Sequence, residues 1–180
     1  KFGNHNVSGM LLWNIDQYDN NAPGNLVASL PRRKMGFAGR LSYDYDNRYM
    51  FEVNAGYNGS ENFAKGHKWG FFPSVAVGWN VSQENFFEPL KDVISNLKLR
   101  ASYGLVGNDQ LLDSSGGLIR FIYMSDITLQ SGNAGFTTGD KQQITLNGPV
   151  YTRYQNNDLT WEVGEKLNVG FDMQLFNSLN

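Results

Sequence analysis

The chain has 180 residues, 15 of them basic and 17 acidic, for a formal charge of −2. That balance offers no electrostatic case for nucleic acid, and the absence of cysteine excludes disulfides, thiolate metal sites and cysteine nucleophiles. Only His5 and His67 are available for histidine-rich zinc chemistry, and no run reaches the roughly 18 apolar residues of a transmembrane helix. With 20 glycines, 21 asparagines and 14% aromatics, the composition favours strands and turns. The chain opens at Lys1 with no signal-peptide pattern and stops at Asn180 after an alternating run. It therefore reads as an internal fragment of one longer domain, residues 1–180 being part of it.

Alternation of apolar and polar residues locates the strands. A weaker strand, Val7 to Trp13, opens the chain with apolar residues on both faces. From Phe37 to Tyr45 the odd positions include Phe37, Leu41, Tyr43 and Tyr45, against Arg40, Ser42 and Asp44. From Tyr49 to Asn58 they are Tyr49, Phe51, Val53, Ala55 and Tyr57, against Glu52 and Asn54. Phe71, Pro73, Val75, Val77, Trp79 and Val81 form the third set, and Leu97, Leu99, Ala101, Tyr103 and Leu105 the fourth. Val163, Leu167, Val169, Phe171, Met173 and Leu175 form the last.

These segments run to about 9–14 residues, whereas globular strands average roughly 5–6 and a tilted transmembrane β-strand needs roughly 9–11. The even face carries Arg40, Asp44, Glu52, Lys98, Arg100, Glu162, Lys166 and Asp172; the odd face carries one charge, Glu165. Two architectures produce such faces. In a soluble, secreted β-sandwich that binds carbohydrate or peptide, apolar faces meet in a core. In an outer-membrane barrel the apolar face meets lipid and the polar face a wet lumen. Strand length and aromatics gathered at strand ends favour the barrel. On that reading Leu41, Val53, Val75, Val77, Leu99, Val169 and Phe171 face outer-membrane lipid, and the eight even-face charges face the lumen.

The connections alternate between short and long, as periplasmic turns and extracellular loops do. Asp46-Asn47 makes a tight turn, and keeping Tyr45 and Tyr49 on one face requires the odd loop 46–48 or a bulge. Gln83 to Asn96 suggests a short amphipathic turn under that rim, with Glu84, Glu88 and Asp92 solvated. Ile15–Met35, Gly59–Gly70 and Gly107–Thr160 are the extracellular segments. The last shows no sustained alternation, apart from a strand extension expected over Leu118–Met124. Trp69, Tyr123, Tyr151, Tyr154 and Trp161, in or beside these segments, are candidate substrate contacts that stack on a sugar ring or clamp a peptide. Interface anchoring and loop packing are equally ordinary uses for such rings.

Other constellations carry little chemistry. Asp16-Gln17-Tyr18-Asp19-Asn20 is rich in oxygen but lacks the EF-hand spacing, so a surface loop is the better reading. Gly132-Asn133-Ala134-Gly135 has neither the lysine nor the helix of a phosphate loop. No nucleophile–base pair or paired carboxylates can be argued from spacing, so no enzyme, cofactor or metal is expected.

Specific strings then matter. Gly39-Arg40-Leu41-Ser42-Tyr43-Asp44-Tyr45-Asp46-Asn47-Arg48-Tyr49, Trp69-Gly70-Phe71-Phe72-Pro73-Ser74-Val75, and Ile94 to Gly104 with Gly107-Asn108 resemble the barrel of SusC/RagA-type TonB-dependent transporters. So do Leu159-Thr160-Trp161-Glu162 and Asn168 to Asn177. The resemblance implies an all-β chain: about six strands of a 22-stranded transmembrane antiparallel barrel whose lumen holds a plug. It implies a Bacteroidetes-type outer-membrane importer of oligosaccharides or oligopeptides. Its partners would be a SusD-like surface lipoprotein and TonB, the latter through an N-terminal region outside these residues. A passive porin would share the barrel without plug or energy input.

Overall fold

A computed structural model describes residues 3–21, 29–112, 116–141 and 144–176. Its main element is an antiparallel sheet of β1 (His5–Tyr18), β2 (Arg32–Tyr45), β3 (Tyr49–Ser60), β4 (Trp69–Asn80), β5 (Ile94–Asn108) and β10 (Glu162–Leu175). The six strands lie side by side in that order. Between β5 and β10 come β6 (Leu111–Leu112) paired with β7 (Leu118–Ile119), and β8 (Asp126–Thr138) paired with β9 (Ile144–Arg153). The six-stranded sheet does not close on itself; β1 and β10 are its edges.

Register turns the alternation of each strand into a property of the whole sheet. Gly9, Leu41, Val53, Val75, Tyr103 and Leu167 stand opposite one another in successive strands. Because directly opposed residues share a face, odd-numbered residues of the six strands lie on one side, up to a bulge that sets Leu175 opposite Ile94. The 46–48 turn keeps that parity. Tyr45 pairs with Tyr49, Asp46 and Asn47 take φ of 53° and 54°, and the Arg48 N–H donates to Tyr45 O at 2.9 Å. Asp and Asn are the residues that enter this left-handed region most readily after glycine.

Several boundaries differ from the alternation. β1 and β2 pair as far as Tyr18↔Arg32, so the connection expected over 15–35 shortens to 19–31, of which 22–28 lie outside the described residues. Backbone pairing continues there after the apolar period ends, helped by Asp16 opposite Lys34 and 3.7 Å from Arg32. The Leu118–Met124 strand is cut to Leu118–Ile119: Phe121 has φ 48° and its carbonyl accepts from the Met124 N–H at 2.8 Å, making a turn. Conversely, the 107–160 connection contains the β8–β9 hairpin, which the sequence reading missed. Its register slips at three places, which erases a period-2 signal. Residues 113–115 and 142–143 of that connection lie outside the described residues.

Among the described residues the buried apolar side chains are Phe63, Val81, Phe87, Phe121 and Ile122, none within the six long strands. Val81 and Phe87 belong to the connection 81–93, where two 3-10 segments, Val81–Gln83 and Asn85–Leu90, replace the expected amphipathic turn. The mid-strand residues Leu41, Val75, Val77, Leu99, Val169 and Phe171 are exposed, and no second sheet of the described residues covers them. This contradicts the sandwich alternative, whose apolar faces must meet inside one chain.

Candidate functional site on the sheet faces and the long-connection rim

The odd face is apolar in the middle, mostly aliphatic but with Phe51, Tyr103 and Phe171 among the aliphatic residues, and aromatic at both ends. Leu41, Val53 and Val75 occupy one cross-strand row, and Phe51, Val77, Ala101 and Val169 the next. Towards the short-turn end stand His5, Tyr45, Tyr49 and Trp79, with Tyr45 and Tyr49 stacked at 6.5 Å. His5 Nδ1 lies 2.9 Å from the Tyr43 hydroxyl. Towards the other end Trp13 stacks on Phe37 at 6.1 Å and Tyr57 on Trp69 at 4.7 Å.

All eight charges predicted for the opposite face lie on it, because each occupies an even position in the common register. Glu52 accepts from Ser42 Oγ at 3.0 Å and Asn54 Nδ2 at 2.9 Å, and Arg40 Nε approaches it at 3.6 Å while donating to Asn54 Oδ1 at 2.8 Å. Arg100 pairs with Asp172 at 3.4 Å, and Glu162 accepts from Asn108 Nδ2 at 3.0 Å. Asp44, Glu52, Lys98, Arg100 and Asp172, with Asn6, Ser8 and Ser42, line an open concavity of about 400 Å³. Exposed ion pairs of this kind contribute about 0–1 kcal/mol each to stability. Lys166 shares the face, opposite Gly104.

The long-connection rim is organised around a residue that was not predicted. Asp109 is only 6% exposed. Its carboxylate meets Lys34 Nζ at 2.7 Å and accepts from Ser60 Oγ at 2.7 Å, and its carbonyl accepts from Asn62 Nδ2 at 3.0 Å. Burial pushes the Asp109 carboxyl up, but the bonds from Lys34 and Ser60 outweigh it and hold the group below the ordinary carboxylate range. Beside it Phe63 is fully buried against Trp161 at 5.5 Å, and Phe72 meets the same indole edge-on at 5.2 Å.

Residues 2–180 match the family model described as TonB dependent receptor-like, beta-barrel. The chain belongs to that family. It is 35% identical over 140 residues to TonB-dependent receptor P3 of Formosa agariphila, covering 78% of this chain and 12% of the relative. It is 32% identical over 143 residues to TonB-dependent receptor SusC of Bacteroides thetaiotaomicron, covering 79% of this chain and 13% of that protein. The fold also resembles the structure of the RagAB peptide transporter, with a TM-score of 0.70 and 19% identity over 97% of this chain and 20% of that one. The chain thus spans only a small part of the relatives it matches. The family is one of receptors and not an enzyme class.

In this receptor sheet the five aromatic candidates do not converge. Trp69 is the first residue of β4, on the odd face with Tyr57. Trp161 is turned inward, its Nε1–H donating to Lys68 O at 3.0 Å. Tyr123 packs edge-on to Phe121 at 6.2 Å. Tyr151 and Tyr154 stand in the open, as Trp69 does, and are stacked on each other at 5.3 Å with Tyr154 77% exposed.

At the opposite rim Glu84, read from sequence as solvated, joins three elements. It accepts from Tyr49 OH at 2.6 Å and Trp79 Nε1 at 3.2 Å and lies 3.7 Å from Arg48. Those two hydrogen bonds hold its carboxyl below the ordinary value. The sequence signal for such a partner is slight, a lone glutamate after a strand, and the tie follows only from the register that brings Tyr49 opposite Trp79.

Proposed function

We propose that the six strands form part of the wall of an outer-membrane barrel and that residues 1–180 belong to one barrel domain. Its odd face meets lipid and its even face lines the lumen. The observation that carries this reading is the exposed odd face, apolar and mostly aliphatic between two aromatic rows. A continuous apolar surface of this extent needs a cover, and lipid is the cover that fits aromatic borders. Trp69 and Trp79 are ten residues apart on β4. At about 3.3 Å per residue and a tilt of about 40°, that interval covers roughly 25 Å of membrane, the height of a barrel's apolar band.

The whole protein then acts as a TonB-dependent importer in the outer membrane of a Bacteroidetes-type bacterium, working with a SusD-like surface lipoprotein. Its cargo is an oligosaccharide or an oligopeptide. Similarity to SusC and to the RagAB fold supports the lipoprotein partner, and membership of a TonB-dependent family speaks against a passive porin. The lumenal charges supply hydrogen bonds to a polar solute, and the Tyr151–Tyr154 pair supplies an aromatic surface outside. Cell fractionation of the full-length protein tests the reading. Recovery in the outer membrane with a heat-dependent gel mobility is the expected result; recovery as a soluble protein without detergent overturns it.

A further inference from the structure

The β4–β5 ladder is incomplete. It runs from Asn80↔Lys98 to Ser74↔Gly104 and stops, although β4 continues back to Trp69 and β5 on to Asn108. On either side the neighbouring ladders persist: β3–β4 pairs as far as Gly59↔Trp69, and β5–β10 as far as Asn108↔Glu162. The ladder stops at Pro73, which has no N–H to donate. Beyond it, side chains replace backbone hydrogen bonds. The Phe72 ring lies over Gly70 and Gly107, where a Cβ on either glycine would overlap it, and Trp161 packs against its edge.

Two polar ties from the two ends of the excursion that carries β6 to β9 cross this seam, and within the excursion Arg120 donates to Leu30 O, just ahead of β2, at 2.7 Å. Asp109, one residue past β5, reaches Lys34 on β2 and Ser60 on β3. Trp161, one residue before β10, donates to Lys68 just ahead of β4. Both ends are therefore fastened to the β2–β4 side of the seam by contacts other than a ladder.

We propose that this seam is a hinge and that the Asp109 and Trp161 ties are its latch. Released, the upper parts of β5 and β10 tilt away from β4 about Gly104, carrying the β8–β9 hairpin with them. Fastened, they hold that hairpin in one position over the rim. The step breaks no covalent bond and costs a few hydrogen bonds and the packing of Phe63 and Phe72 on Trp161 rather than a strand ladder, which is why it is confined to this rim. Low local stability is expected of elements that move.

The test uses the full-length protein in outer membranes, spin-labelled at Lys65→Cys and Asn133→Cys, two exposed positions on opposite sides of the seam. The latch predicts a single narrow distance distribution in the parent and a broadened or second population in Asp109→Asn and in Trp161→Phe. Exchanging the charges, Lys34→Asp with Asp109→Lys, should narrow it again. Unchanged distributions in both single variants overturn the proposal. The inference rests on the barrel reading, so heat-dependent mobility is scored on every variant: its loss in the parent removes the barrel, whereas its retention with unchanged distances removes only the latch. If Asp109→Asn fails to assemble, Trp161→Phe decides alone, since it keeps an aromatic ring and removes the donor.

Discussion

Trp69 and Trp79 share one strand and one face, Trp69 opposite Gly59 and Trp79 opposite Tyr49. Everything on that face between them is apolar: Phe71, Pro73, Val75 and Val77. On the other face of the same strand Ser74, Ala76 and Gly78 are small, and the charges of neighbouring strands flank them. Adjacent residues of β4 therefore meet different surroundings.

That contrast makes Val77 and Ala76 a matched pair. Val77→Arg, on the apolar face two residues inside Trp79, should cost about 1–2 kcal/mol and reduce outer-membrane assembly. Ala76→Arg, next to Glu52 across the β3–β4 ladder, should be tolerated far better. Assembly yield measured by heat-dependent mobility checks both, and equal yields would remove the assignment of faces.

The Asp109 tie carries a sign in pH. Its folded-state pKa is depressed, so the stability it contributes is present above the ordinary carboxylate range, about 3.9, and is lost as pH falls through the lower folded value. Proteolysis of the rim connections should accordingly be slow at pH 7 and accelerate on strong acidification. In Asp109→Asn the neutral-pH rate should already be raised and its dependence on acid reduced. A variant with the parent's full acid dependence would remove Asp109 as the responsible group.

Gly107 has a packing reason to be glycine. Gly107→Ala must displace the Phe72 ring, and overpacking of this kind costs about 1–3 kcal/mol. Pairing it with Phe72→Leu should recover much of the loss. Thermal inactivation of the assembled barrel reads both effects, and additive losses in the double variant would show that the two sites do not touch.

Glu84→Gln keeps the size of the side chain but removes its charge and weakens what it offers Tyr49 and Trp79. The expected result is faster hydrogen exchange at the Arg48 and Asn80 amides, with no change at the opposite rim. An unchanged exchange rate would mean that the turn is held by the backbone bond from Asn80 N–H to Arg48 O alone.

Tyr151→Ala and Tyr154→Ala should leave assembly intact and weaken binding of an oligosaccharide or oligopeptide cargo. An aromatic contact contributes about 0.5–1.5 kcal/mol, so each loss should be roughly two- to tenfold in affinity. Isothermal titration on the purified complex distinguishes this from a purely structural stack, for which affinity would not move.

How much of this was legible in the sequence depends on what each residue answers to. Parity was legible, because one face of a strand has a single environment along its whole length; Val75 and Val77 announce it without reference to other strands. The three-residue turn at Asp46-Asn47-Arg48 followed from that parity. Asp109 was not legible, since its partners Lys34 and Ser60 are 75 and 49 residues away and depend on which strands become neighbours. Trp161 was legible only in part, for a related reason. An indole near a strand end suits stacking on a ligand as well as packing, and only the gap beside Phe72 decides between them. The β8–β9 hairpin escaped because its slipped register leaves no period to count.

The distribution of buried side chains has a consequence for how this molecule responds to its surroundings. Phe63 and Phe121 at one rim, and Phe87 at the other, are shielded by protein, while Leu41, Val75 and Val169 between them are not. The two rims are small cores of the ordinary kind, indifferent to what surrounds the barrel. The middle of the wall takes its stability from its environment. Exchanging one detergent or lipid for another should therefore shift the melting of mid-strand amides and leave those of the rims in place, so that a single unfolding temperature describes neither.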